Sequence, residues 1–218
     1  MEKQFLINMM YLSTPQLLFI IIVPIVVLVV IFIFFFLPIR KYYRKKHYLE
    51  VYYKNVRSIA VDRDYYLINN FKFKISDNKK AMFNHILFGE KYIYLIYCVY
   101  YQGDITGNVN DNYLIMVPKK DKRKYATNDY RVIKRMVDRF VLDTSLSSDI
   151  FIGIVLTNSD VNLGVESESK QFYMIQRDKL AQLVKAIESR NIPTLNEKEL
   201  ERAVTQLAKR KAKEEKRG

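Results

Sequence analysis

Tryptophan is absent from these 218 residues, cysteine occurs once and histidine twice. A lone Cys98 excludes an intramolecular disulfide, which fits a domain kept in a reducing compartment. It lies inside an apolar run and reads as a small buried residue, not as a nucleophile. With only His47 and His85, no His-rich metal site can be assembled, and no Cys/His spacing resembles a zinc motif. The phosphate loop GxxxxGK[ST], the dinucleotide motif GxGxxG and the nucleophile motif GxSxG are all missing. Tyr, Ile, Asn and Lys are plentiful instead, a bias that an AT-rich coding sequence produces, so tyrosine abundance alone carries little functional meaning.

Charge is missing from one long stretch. Nothing between Gln4 and Ile39 is charged, and Leu17–Leu37 reads LLFIIIVPIVVLVVIFIFFFL. At a rise of about 1.5 Å per residue this run spans roughly 31 Å, the thickness of a bilayer hydrocarbon core. In lipid the backbone must satisfy its own hydrogen bonds, so the run is expected to be helical despite its β-branched content, with Pro24 bending it modestly. A cleaved signal peptide is the competing reading. Its apolar region is usually shorter and ends at small residues, whereas PIRKYY follows here. The basic residues set the expected orientation. Arg40, Lys41, Arg44, Lys45 and Lys46 follow the run, while Lys3 alone, partly offset by Glu2, precedes it. This asymmetry places the N-terminus outside and the remainder in the cytosol, with the basic cluster on anionic headgroups and Tyr11, Tyr42 and Tyr43 at the two interfaces.

The formal net charge is +13, and much of the excess sits at the domain's edges. Residues 40–63 hold eight Lys/Arg against Glu50 and Asp62, and residues 209–217 hold six against Glu214 and Glu215. Such a potential favours phosphate-rich partners, either lipid headgroups or nucleic acid, and does not choose between them.

The expected organisation is a short extracytoplasmic segment (1–16), a transmembrane helix (17–39), a basic juxtamembrane helix (40–63), an α/β domain (64–192) and a charged helical tail (193–218). Within the domain, 64–75, 81–88, 92–101 and 112–118 read as strands of a meander, with QGDITGN (102–108) as a turn and KKDKRKYA as a solvated loop. Asn128 is a candidate N-cap for a helix to about Val141 carrying Tyr130, Ile133, Val137 and Phe140 on one face. Residues 150–157 read as a buried strand, 158–170 as a polar loop and 171–175 as a short strand. Asp178 is a candidate cap for a helix to Arg190 with Leu180, Leu183, Val184 and Ile187 inward, and a charged helix follows from Glu197 with Leu200, Val204 and Leu207 as a narrow apolar stripe. The order predicts a mixed sheet flanked by helices.

These residues, in this order, resemble the nuclease-related domain (NERD) family of the restriction-endonuclease-like PD-(D/E)xK superfamily. The likeness rests on Glu50 on the first helix, YYLINN (65–70), Asn84-His85, YIYLIYCVYYQGDITG (92–107), NDYRVIKRMVDRF (128–140) and IFIGIVLT (150–157), and covers about residues 48–190. In that superfamily, acids from two neighbouring strands hold a divalent cation that polarises the phosphodiester and activates water, assisted by a Lys two residues past the second acid. The resemblance puts Asn84 at the first acid position, Tyr97 at the second and Val99 at the Lys position. All three depart from the pattern, so the resemblance implies a domain without nuclease activity and without a cofactor.

His85 matches the family's histidine and also reads as a satisfied core histidine. Gly103 and Gly107 match its turn glycines, and Glu50 reads equally as a surface ion-pair partner. Asp160, Glu168 and Lys170 reproduce a D-x7-ExK spacing, but in a polar loop with no apolar strand to carry the acids.

Three functions are expected in descending order. The first is a membrane-anchored, catalytically inactive module that binds nucleic acid or protein. The second is a Mg-dependent tethered nuclease with a displaced site built from Glu50, Asn84, Asp104 or the 160–170 loop. The third is an assembly factor of a membrane complex that docks through the C-terminal helix. None of them calls for a small-molecule substrate.

Overall fold

The uncharged run folds as one helix. A computed structural model describes residues 14–76, 79–118, 122–142, 144, 146–167 and 169–215. Lys3, Tyr11, Glu168 and the last three residues, each used in the sequence reading, lie outside the described residues. The chain divides into two compact units that meet in sequence between His47 and Tyr48.

The first unit holds α1 (Thr14–Lys46), 33 residues long. Its segment Leu18–Phe36 is long and apolar enough to cross a membrane, as either an anchor or a signal sequence. Side chains along it are exposed, and Phe32 stacks on Phe36 one turn away at 4.5 Å. The helix runs on through the basic segment to Lys46 and breaks at His47, so the helical residues 40–62 are divided between two helices.

The second unit begins with α2 (Tyr48–Asp62), which buries Tyr52, Val56, Ile59 and Ala60 on one face. Next come β1 (Tyr66–Ser76), β2 (Lys79–Phe88) and β3 (Ile93–Cys98), an antiparallel meander. Then β4 (Gly103–Asn108), β5 (Tyr113–Pro118) and β6 (Lys124–Thr127) lead into α3 (Asp129–Leu142). The chain finishes with β7 (Phe151–Thr157), β8 (Leu163–Glu166), β9 (Phe172–Gln176), α4 (Leu180–Glu188) and α5 (Glu197–Glu215).

Two mixed sheets result. The first has strand order β1-β2-β3-β7-β9, with β7 parallel to both β3 and β9. The second has order β6-β5-β4-β8. Against the first sheet, α3 and the C-terminal α5 pack on one face around Phe83, Ile133 and Phe140, while α2 and α4 cover the other around Tyr94, Ile154 and Val184. With both faces covered, β7 is buried at every position, and its sequence is accordingly apolar throughout.

Several expectations are corrected. Residues 102–108 are not a turn, and 158–170 are not wholly loop: they supply β4 and β8, and the basic loop supplies β6. The fourth predicted strand leaves the meander and joins the second sheet as β5. β3 stops at Cys98 instead of running to Tyr101. Asp178 caps nothing: it lies inside a 3-10 turn, and the N-cap of α4 makes no side-chain hydrogen bond. Asn128 does cap α3, accepting from the Arg131 N–H at 3.3 Å while its Nδ2 donates to the carbonyls of Val109 and Asp111.

Candidate functional site

Strand alternation places successive side chains on opposite faces, and β1 and β2 each break that rule once. Ile68 and Phe71 both belong to the core under α3, although they are three residues apart. The residue between them that absorbs the switch is Asn70, at φ 54°, a conformation Asn tolerates better than most side chains. On β2 the same core receives Phe83 and Ile86. Between them lies Asn84, at the level of Asn70, flanked by the pairs Asn69–His85 and Phe71–Phe83.

Asn84 is 4% exposed and its Oδ1 accepts the Cys98 N–H at 2.8 Å. This bond ties the middle of β2 to the last residue of β3. Beside it opens a cleft of about 470 Å³. Tyr48 and Leu49 from α2, Lys80 and Met82 from β2, Tyr97 and Cys98 from β3, and Val132, Arg135 and Met136 from α3 contribute to its walls. Asn84 therefore lines a cleft together with Tyr97, while Val99 does not join them: its N–H donates to Leu156 O at 2.9 Å and its carbonyl accepts from Tyr52 OH at 3.1 Å.

The electrostatics follow from this lining. Among the described residues no carboxylate faces the cleft, and two cations, Lys80 and Arg135, stand at its exposed edge. Burial raises the Tyr97 phenol above the ordinary tyrosine range, and the nearby Asp129 carboxylate raises it further. Burial likewise pushes the Cys98 thiol up, so it stays protonated and unreactive at neutral pH. A divalent cation needs several hard, anionic oxygens. One amide whose oxygen is already engaged and one neutral phenol do not provide them, and no cluster of acidic, His or Cys ligands occurs among the described residues. The cleft suits a neutral or anionic group that can meet cations at its rim and an aromatic and aliphatic floor within.

The other sequence-level candidates are dispersed. Glu50 is exposed on α2 and pairs with Lys54 one turn on, at 3.0 Å. Asp104 accepts from the Asn162 N–H at 2.9 Å and from its amide at 3.2 Å, joining β4 to β8. Asp160 accepts from Asn158 at 2.6 Å, and Lys170 is exposed. His85 is buried on the α2 side, where its ring stacks on Tyr53. Its Nδ1 lies 2.6 Å from Asn69 Oδ1, which can only accept, so Nδ1 carries the proton and the buried Nε2 has no protein partner. Lys45 and Lys46 are exposed at the end of α1, whereas of Arg40, Lys41 and Arg44 only the helical backbone is described.

Gly107 lies within β4 and not in a turn, but it does have a positive φ, 138°, which glycine adopts readily. Gly103 has a different reason. A Cβ there would lie 2.6 Å from Pro118 N and Cα, on the neighbouring strand, and closer still to Val117 O.

Two buried carboxylates went unnoticed in the sequence. Asp129, at the first turn of α3, accepts a short hydrogen bond from Tyr101 OH. Burial raises its carboxyl above the ordinary range, and the Tyr101 bond holds it back. Glu188 accepts from Tyr94 OH at 2.6 Å and the Lys91 N–H at 3.0 Å, and burial raises it too. The only sequence signal was a charged residue beside an apolar helical face, which is too common to single out either one.

No family model and no curated protein matches this sequence. A crystal structure of a protein of unknown function is similar over 72% of this chain and 78% of its own, with 10% identity and a TM-score of 0.31, a likeness too slight to support a fold assignment.

Proposed function

We propose that the chain is a membrane-anchored, non-catalytic binding module: α1 holds it in the bilayer with the N-terminus outside, and the cytosolic unit is a restriction-endonuclease-like domain of the NERD kind that has lost its metal site. The observation that carries this reading is the cleft at Asn84 and Tyr97. These are the positions where the resemblance expects converging acids, and they hold an amide already bonded to Cys98 N and a phenol that burial keeps neutral. The order of elements supports the fold half of the reading: a helix, a three-stranded meander, three strands of the second sheet, a helix, and then a strand parallel to the third. The partner class is an anionic polymer or an acidic protein, supported by the +13 charge and by the exposed Arg131, Lys134, Arg135 and Arg139 on α3.

The test is incubation of the full-length protein in nanodiscs with labelled DNA and RNA, with Mg²⁺ or Mn²⁺ present. No cleavage is expected, and any binding should weaken steeply with salt. Metal-dependent cleavage abolished by Glu50→Ala or Asp104→Ala would establish a displaced nuclease site instead.

The docking-helix alternative loses its support. The apolar stripe of α5 is occupied by the domain itself: Ala203 and Leu207 are buried in the core under α3, and Leu200 and Val204 pack against it.

A further inference from the structure

β2 is longer than the strand beside it. On one side β1 accompanies it from Lys79 to Phe88. On the other side β3 pairs with it over His85–Phe88 alone. Beyond Ile96, Tyr97 and Cys98 stay in register with Val155 and Leu156 of β7, and the Val99 N–H donates to Leu156 O. The chain thus keeps to β7 and parts from β2. The Asn84–Cys98 bond closes the inner end of the gap that opens. From Lys80 to Asn84 β2 has no strand neighbour on this side among the described residues, a length of about 13 Å at 3.3 Å per residue.

The cleft lies in this gap. Ala81 and Met82 are consecutive and point to opposite faces of the sheet, yet both line it. That happens where a cavity opens on a strand's edge, not where it lies over one face. The walls accordingly come from both helical layers: Tyr48 and Leu49 of α2 on one face, Val132 and Met136 of α3 on the other. Every second residue of an antiparallel strand aims its N–H and C=O at the neighbour on a given side. Between Lys80 and Phe83 those aimed away from β1 face the gap, and such groups are obligatory hydrogen-bond formers. Lys80 and Arg135 stand exposed at the edge, and among the described residues neither pairs with a carboxylate.

We infer that the cleft takes an extended acidic segment of a partner protein as an added strand. Its backbone pairs with Lys80–Phe83, its apolar side chains enter the two walls alternately, and its flanking carboxylates meet Lys80 and Arg135. This deepens the proposed function and rests on its reading of the cleft as a binding site without catalysis. An extended peptide matches each feature at once: alternating donors and acceptors for the strand edge, side chains directed to both faces, and negative charge for the rim. A nucleic acid could meet the two cations but offers no alternating row of N–H and C=O to β2.

The test begins with a displayed library of linear octapeptides, selected on the full-length protein in nanodiscs and counter-selected on empty nanodiscs. Enriched peptides should carry apolar residues flanked by Asp or Glu. Backbone N-methylation at alternate positions should weaken such a peptide about tenfold or more, because it removes ladder bonds. Lys80→Glu with Arg135→Glu, both on exposed side chains, should weaken it about tenfold. At ten times its Kd the peptide should slow hydrogen exchange about tenfold at alternate amides between Lys80 and Phe83. No enrichment over empty nanodiscs overturns the inference, as does a peptide indifferent to N-methylation. Slowing of these amides by raised protein concentration alone, which reveals a second copy, also overturns it. A peptide that binds but slows other amides overturns strand addition and leaves the non-catalytic binding module standing. An oligonucleotide that slows these amides and is cleaved with Mg²⁺ overturns both.

Discussion

Asn84 and Cys98 are joined by a 2.8 Å hydrogen bond from the backbone N–H of the second to the side-chain oxygen of the first. The bond occupies one of the two acceptor sites of the Asn84 side-chain oxygen and secures the end of β3 at the cleft wall. It makes Asn84 a structural residue of the site whatever the cleft binds.

Replacing Asn84 by Ala should therefore destabilise the domain without any ligand present. The Cys98 N–H is left buried and unpaired, which costs about 1–3 kcal/mol. Asn84→Asp keeps the acceptor but buries a carboxyl group, so its penalty should grow as pH rises through the carboxylate range. Denaturant unfolding at two pH values separates the variants, and equal stability of wild type and Asn84→Ala would refute the structural role.

His85 should make stability fall in mild acid. Burial lowers its folded-state pKa from 6.5 to about 4. Unfolded chains take up the proton first, so this group's contribution is complete above pH 6.5 and is lost as pH falls toward about 4, by up to about 3 kcal/mol. Asp129 and Glu188 act in the opposite sense, because their raised carboxyls lower stability as pH rises through the native values. The quantity to measure is thus the difference between wild type and His85→Asn across this range. A pH-independent difference would show that His85 is not buried in its neutral form.

Gly103→Ala should disrupt the contact between β4 and β5. Its Cβ would press on the backbone of Val117 and Pro118, which cannot swing aside as a side chain would. Overpacking of this kind costs about 1–3 kcal/mol. Hydrogen exchange should report the loss at the second sheet's amides and leave β7 protected.

Removing the tail should damage the domain. Leu207 is 3% exposed in the core under α3, and a buried Leu→Ala change costs about 2–5 kcal/mol. Leu207→Ala and a chain ending at residue 192 should both lower the thermal midpoint and raise protease sensitivity, the truncation more so. An unchanged midpoint in the truncated chain would restore the tail as a free docking helix.

What could be read in the sequence was what neighbouring residues decide together. The charge-free run reads as a helix because a single segment placed in lipid would have to satisfy its own backbone hydrogen bonds, and α1 is helical throughout. Asn128 announces the start of α3 because the cap bonds lie within three residues of one another. The apolar strand at Phe151–Thr157 could belong only to a layer covered on both sides. The segments Gly103–Asn108, Lys124–Thr127 and Leu163–Glu166 are short, polar and without a period, and they become strands only because each finds a partner elsewhere in the chain. The same holds at the cleft. The residue types at 84 and 97 already argued against a bound cation, but that Asn84 bonds Cys98, that Val99 turns away to Tyr52 and Leu156, and that the stripe of α5 is used up inside the domain depend on pairings over long sequence separations. Local propensity and burial pattern act along the chain; the partners of individual side chains are chosen across it, and only the folded structure brings those partners within bonding distance.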